Sequence, residues 1–429
     1  MKVALLHYSA PPVVGGVETV IGHHTRLLVN AGHQVLVLAG RGGPATQILA
    51  DQVPQADARL SFASIPWLDS RHEQVLAVKA ELDAGVVSQR FHRLRRTIFE
   101  ELAPHLAEMD VILAHNVASL NKNLALTAAL YDFACHRQFP DETPRGRLVL
   151  WQHDLAWKTP RYADELHDGY PWDLLRRAWA GVIYVTISEL RRRELAELTG
   201  LAPADIHVIP NGLDLNSFFK LEELTRRLVQ QLDLLSAAPL LLLPVRITPR
   251  KNIELALRIL HCLSTGFPQA TLVVTGPLGP HNPANVRYFD LLRSLRDELG
   301  LVGRAHFLAE IVPGFLPFSV IADFYRLADA LLLPSREEGF GIPLLEAGLA
   351  RLPVFCSDIP PLRELVQSAG AGAQAVTFFS PDADAGHVAE QIRLRLAEDA
   401  LFQQRRRVRA EYTWERIYAE KIAPLLAGL

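Results

Sequence analysis

Cysteine is scarce in this chain of 429 residues, which has only Cys135, Cys262 and Cys356. Three thiols, odd in number and far apart, exclude a disulfide framework and match no zinc-ligand spacing; they suit a reducing cytoplasm. A dominant charge is also missing: 44 Lys and Arg stand against 47 Asp and Glu, for a net charge of −3. No global basicity points to nucleic acid. Nowhere does an uncharged apolar run reach the ~18 residues that span a bilayer. The opening MKVALLHYSAPP lacks the ~7 to 15 residue apolar region and cleavage site of a signal peptide. The expected location is therefore cytoplasmic. Neither half of the chain has a GxGxxG followed by an acid about 20 residues on, which argues against a nicotinamide dehydrogenase.

What is present is a soluble globular composition, 49% hydrophobic and 21% charged, on a chain longer than the roughly 250 to 300 residues at which single cores stop growing. Short, continuously apolar runs alternate with segments of helical period. Residues 2–8, 33–40, 110–116, 147–153, 181–188 and 206–212 form one series of such runs. A second occupies 239–246, 270–277, 304–311, 329–335, 352–358 and 375–381. Continuous apolar character predicts parallel strands buried on both faces. The fold class is α/β, with two Rossmann-like doubly wound domains expected to face each other across a cleft. The first domain is placed at 1–212 and the second at 213–409, with the helical segment 410–429 assigned back to the first.

In open parallel sheets, ligands bind beyond the carboxyl ends of the strands, so the residues just after each run carry the functional signal. After the first run come Gly15 and Gly16, where an anion can approach the backbone at a helix start; a plain strand-to-helix turn is the bland alternative. The opening run of the second series leads to LLLPVRITPRKN. Arg246 and Lys251 there are two fixed cations suited to a diphosphate, unless they are solvated loop charges. The stretch SREEGFGIPLLEAG (335–348) places Glu338 ahead of a turn and Glu346 behind it. Pro343 reads as the first helical residue, and the amides of Gly341, Ile342 and Leu344 as free donors around a positive helix end. Glu346 is expected within that first helical turn. Carboxylates accept hydrogen bonds from vicinal diols, so two acids flanking such a helix end and two cations suit a sugar nucleotide.

At this point the residues resemble a known family. GGVE, VIPNGLDLNSF, VRITPRKN, VVTGP, ADALLLPS and EEGFGIPLLEAGLARLPVFCSD occur in order along nearly the whole chain. Together they are similar to the retaining glycosyltransferases of family 4, which have the GT-B fold. The resemblance implies a hexosyltransferase that moves a hexose from a UDP- or GDP-sugar to an acceptor hydroxyl, without a metal or other cofactor. It implies that Glu338 contacts sugar hydroxyls, Glu346 holds the ribose, and Arg246 and Lys251 neutralise the diphosphate. Phe340, Gly341 and Ile342 would offer backbone amides to the donor, and His153, in WQHDLAW, would face the donor sugar. His115 and Asn116 would line the acceptor pocket. The first domain would bind the acceptor and the second the donor.

Competing readings are a non-catalytic sugar-nucleotide-binding protein and a sugar-nucleotide epimerase on the same fold. The Asp-x-Asp at 382–384 is read as a solvated loop pair and not as a metal site. A basic amphipathic segment, RFHRLRRTIFEEL (90–102), suits either weak peripheral contact with the inner face of an anionic membrane or a solvated helix face. Donor base, acceptor and oligomeric state leave no mark in the sequence.

Overall fold

The structure is a computed structural model that describes residues 1–43, 58–136, 146–278, 283–367 and 374–429. It divides into two compact units, one formed by Met1–Gly212 with Trp414–Leu429 and the other by Leu213–Thr413. Each is built around its own parallel sheet, as two Rossmann-like layers.

The first sheet contains β1 (Lys2–Ser9), β2 (Gln34–Arg41), β3 (Leu60–Ser64), β4 (Val111–His115), β5 (Arg147–Gln152), β6 (Ile183–Thr186) and β7 (Ile206–Val208). Their order is β3-β2-β1-β4-β5-β6-β7, with parallel pairing throughout. Alternate residues of one strand feed opposite cores: Ala4 and Leu6 of β1 join one apolar cluster, Val3 and Leu5 the other. Burial on both faces is why these strands read as unbroken apolar runs. Strand β3 escapes that pattern. Its sequence LSFAS pairs only with β2 at the sheet edge and is half-buried, so it gives a short, polar-interrupted signal.

The second sheet contains β8 (Leu240–Leu243), β9 (Thr271–Val274), β10 (Ala305–Phe307), β11 (Ala330–Leu333), β12 (Val354–Ser357) and β13 (Val376–Phe379). The order is β10-β9-β8-β11-β12-β13, again all parallel. In each sheet the order reverses once, between β1 and β4 and between β8 and β11. Loops leaving those neighbouring strands diverge to opposite faces and open a crevice above the strand ends.

The last residues serve the first unit. Ile417, Ile422, Leu425 and Leu426 pack into one of its two clusters, and Trp414 joins Val20 and Leu27. Residues 410–413, assigned from sequence to the first domain, stay with the second, because 410 and 411 complete the helix Ala400–Glu411 and Thr413 pairs with Leu213. Gly212 lies against this return: a Cβ there would come within 2.7 Å of the Trp414 ring.

The basic segment 90–102 forms part of the helix Gln89–Ala107, whose apolar face, with Phe91, Leu94, Ile98, Leu102 and Leu106, is buried in the core. Arg90 pairs with Glu81, and Arg95 with Asp132. The apolar side chains of this stretch are thus packed into the fold, with Phe99 only partly buried. Among the described residues no helix is long and apolar enough to cross a membrane.

A buried ion pair ties the base of the second sheet to the helix Ala400–Glu411. Asp329, wholly buried, accepts the Leu240 N–H at 2.8 Å and Arg409 Nη2 at 2.5 Å. Removing Arg409 leaves the buried Asp329 with only Arg405, at 4.0 Å, as a counter-charge. Arg409→Ala is expected to cost roughly 3 to 5 kcal/mol, read as a lower urea midpoint for the second unit.

Candidate active site

In the second unit, the loops after β8 and β11 are joined at the switch point. The Arg336 N–H donates to Arg250 O at 2.9 Å, and Arg250 Nη1 donates to Glu337 O at 3.3 Å. This stitching brings Lys251 and Glu338 together, with Nζ to Oε1 at 2.6 Å and side chains only 9% and 8% exposed. Ser335 Oγ donates to the same oxygen at 2.6 Å. Burial lowers the Lys251 pKa, and the hydrogen bond and charge of Glu338 work against that loss. Asn252 follows in the left-handed region (φ 52°) and anchors the turn by donating from Nδ2 to Pro381 O at 2.9 Å.

Arg246 is exposed, its guanidinium carbon 5.8 Å from the ring centre of Phe315. Strand β8 stops at Leu243, so this arginine stands on the loop and not at the strand end expected from sequence. The same loop explains Gly276, which was not singled out as a site residue. A Cβ there would sit 1.9 Å from Val245 O, so the loops after β8 and β9 pass backbone against backbone.

The helix Ile342–Leu349 begins after Gly341, whose φ of 105° is in the left-handed region. A Cβ at Gly341 would lie 2.4 Å from Leu362 Cδ2, so both conformation and space require glycine. Three expectations are corrected here. Ile342 and not Pro343 is the first helical residue. The Leu344 N–H is already bonded to Gly341 O at 3.0 Å. Glu346 lies beyond the first turn, which contains no acid. Among the described hydrogen bonds none uses the amides of Phe340, Gly341 or Ile342, so this helix end keeps unspent donors. Glu346 is half-buried, and its Oε2 accepts Tyr325 Oη at 2.6 Å. Burial, followed by that carboxylate, raises the Tyr325 pKa far above the usual phenol value. Tyr325 is therefore a fixed neutral donor that orients Glu346. Its sequence signal, a tyrosine just before a buried strand, was indistinguishable from core.

In the first unit, Gly16 opens the helix Gly16–Asn30, and Gly15 precedes it in an extended conformation. A Cβ on Gly15 would meet Glu18 Oε2 at 2.1 Å, while Ser9 Oγ donates to Glu18 Oε1 at 2.5 Å. Gly15 is needed to let this carboxylate fold over the helix start. No atom lies within 4 Å of the corresponding position on Gly16.

At the switch point between β1 and β4, four histidines gather, of which sequence had singled out two. His7, His24, His115 and His153 are each at most 5% exposed. His115 Nδ1 lies 3.1 Å from His153 Nε2, and His7 Nδ1 lies 2.7 Å from His115 O. His24 packs against His115, Trp151 and Trp414. Burial lowers the pKa of His7 to about 4 and of His24 and His153 to about 3, with neighbouring histidines adding to the last two. Burial and the other three rings also carry His115 well below the ordinary value. All four are neutral at pH 7.

His115 and Asn116 were expected at an acceptor. His115 is wholly buried, and Asn116, 2% exposed, is turned inward. Asn116, left-handed at φ 56°, accepts the His153 N–H at 2.7 Å and the Asp154 N–H at 3.2 Å on Oδ1. Both residues hold His153 from inside the fold. The acids at 382–384 are engaged as well: Asp382 pairs with Arg336, and Asp384 caps the helix Ala385–Glu398.

Tandem doubly wound units with an anion-ready helix end at the switch point of the second define the GT-B class of glycosyltransferase fold. Residues 226–412 match the family model described as Glycosyl transferases group 1, and residues 14–217 match that of Glycosyltransferase Family 4. The chain belongs to this family of glycosyltransferases. It is 24% identical to mannosylglucosylglycerate synthase of Petrotoga mobilis over 402 residues, 87% of this chain and 88% of the relative. Glycogen synthase of Mycobacterium tuberculosis is 24% identical over 427 residues, 97% and 92% of the two chains. D-inositol 3-phosphate glycosyltransferase of Kineococcus radiotolerans is 32% identical over 194 residues, 44% of this chain and 42% of the relative.

The histidine cluster sets an acid limit on the first unit. Once unfolded, each ring regains a pKa near 6.5, so between about pH 6.5 and pH 4 the unfolded chain binds protons that the folded one refuses. Stability is complete above that window and falls as pH drops through it. Urea titrations at pH 7, 6 and 5 should show a declining midpoint, and His24→Leu should make the decline shallower by about one proton.

Proposed function

We propose that the protein transfers a hexose from a UDP- or GDP-sugar to an acceptor hydroxyl, with retention of anomeric configuration and without a metal ion. The second unit takes the donor and the first unit the acceptor. The observation that carries this reading is the buried contact of Lys251 with Glu338, beside a helix start whose amides are unspent.

Breaking the anomeric C–O bond leaves negative charge on the departing diphosphate and positive charge on the sugar ring. Fixed donors aimed at the leaving group lower that barrier most when they are already in place. Lys251 is held rigid by Glu338, Arg246 stands on the same loop, and the Phe340 to Ile342 amides complete the set. Together they supply the positive charge that a metal would otherwise provide. Glu338 accepts hydroxyls of the transferred sugar. Glu346, with Oε2 occupied by Tyr325, accepts ribose hydroxyls on its other oxygen. His153, neutral at working pH, hydrogen-bonds the sugar and the reacting oxygen. The family likeness supports retention, by attack on the same face as the leaving group. Relatives named for glycogen, glycerate and inositol phosphate products support a hydroxyl acceptor and do not choose among them.

A mass-spectrometric screen of UDP- and GDP-hexoses against the pure protein tests the donor class. Consumption of donor only when an acceptor is added supports transfer; interconversion of the donor alone would indicate an epimerase. With the active donor, Glu338→Gln and Lys251→Ala are each expected to lower kcat by ~100-fold or more with the circular dichroism unchanged. Turnover should persist in EDTA, and loss that magnesium restores would remove the metal-independent reading.

A further inference from the structure

His153 is held at two points by buried residues. Its backbone N–H donates to Asn116 Oδ1 at 2.7 Å, and its ring Nε2 lies 3.1 Å from His115 Nδ1. Between two neutral rings only one proton lies on that line. His115 Nε2 is buried without a hydrogen-bond partner. If His153 donated, His115 would carry its proton on Nε2 as an orphaned buried N–H, the costlier arrangement. If His115 donates from Nδ1, only a bare lone pair is left inside. His153 must then carry its own proton on Nδ1.

We propose that His115 and Asn116 are positioning residues for His153, together fixing its backbone, ring orientation and tautomer so that Nδ1–H is the group offered to the substrate. The proposal rests on the reading above that His153 faces the sugar. The anchor is itself locked: His7 Nδ1–H can only donate to His115 O, 2.7 Å away, because a carbonyl oxygen has no proton to give. His115 stacks on Trp151 with ring centres 5.5 Å apart and packs against His24 at 5.3 Å. Asn116 adopts a left-handed conformation that few side chains other than Asn tolerate, which aims its Oδ1 at both the His153 and Asp154 amides.

The tautomer can be read on the full chain without any substitution. Long-range proton–nitrogen correlation at pH 7, with His153 assigned by its loss in H153Q, should show the proton on Nδ1. A proton on Nε2 overturns the proposal. His115→Leu should lower kcat by ~10- to 100-fold, change the donor KM by less than about threefold, and mix the His153 tautomers. His115→Asn, whose amide keeps a donor near the Nδ1 position, should recover most of the rate. Equal loss in both variants, with His153 still in a single tautomer, assigns the effect to packing and overturns the proposal. His153→Ala separates the two levels. Wild-type turnover in that variant sinks the substrate-facing role of His153 and the catalytic consequence drawn from it, whereas the tautomer spectrum tests the His115 contact by itself.

Discussion

In a parallel sheet all strands end on one edge, and where the strand order reverses two neighbouring loops leave toward opposite faces. Nearly all of this protein's chemistry follows from that constraint, applied once in each unit. Between β8 and β11 it juxtaposes the loops carrying Lys251 and Glu338; between β1 and β4 it brings His7 beside His115 and, one strand on, His153. None of these residues is adjacent in sequence.

The two switch points treat charge in opposite ways. In the second unit a lysine and a glutamate are buried as a pair, each offsetting part of the cost of burying the other, and Ser335 takes part in the same contact. A charged ligand can enter such a site because the charges already exist and are rigid. In the first unit four imidazoles are buried in aromatic surroundings, and burial outweighs the pull of Glu18 on His7, so all are driven to the neutral form. A neutral ring can donate or accept a hydrogen bond without repelling either pole of a developing ion pair.

Local backbone requirements complete the arrangement. Gly341, at positive φ and against Leu362, lets the helix start without a side chain over its free amides. Gly276 lets two loops touch backbone to backbone beneath Arg246. Gly15 serves another end: the space it leaves is filled by Glu18, the chain's own carboxylate, so the first helix start is already partly neutralised.

The apolar runs and their helical spacers were enough to give both sheets, because strands buried on two faces must be written in continuous hydrophobic residues. Glu338, Arg246, Lys251 and His153 could be singled out because the loops beyond the strands of a parallel sheet are few. Strand β3 was not, since an edge strand is buried on too little of its surface to constrain composition. Tyr325, His7 and His24 looked like core, and in part they are; their roles come from which polar atom finds which partner across strands far apart in the chain. His115 and Asn116 were expected at an acceptor, but whether such a residue faces a ligand or a neighbouring ring is decided by packing. Sequence by itself determined where polar groups interrupt the apolar pattern; tertiary structure alone decided which of them touch, since hydrogen-bond geometry depends on ångström-scale register between elements that no local pattern encodes.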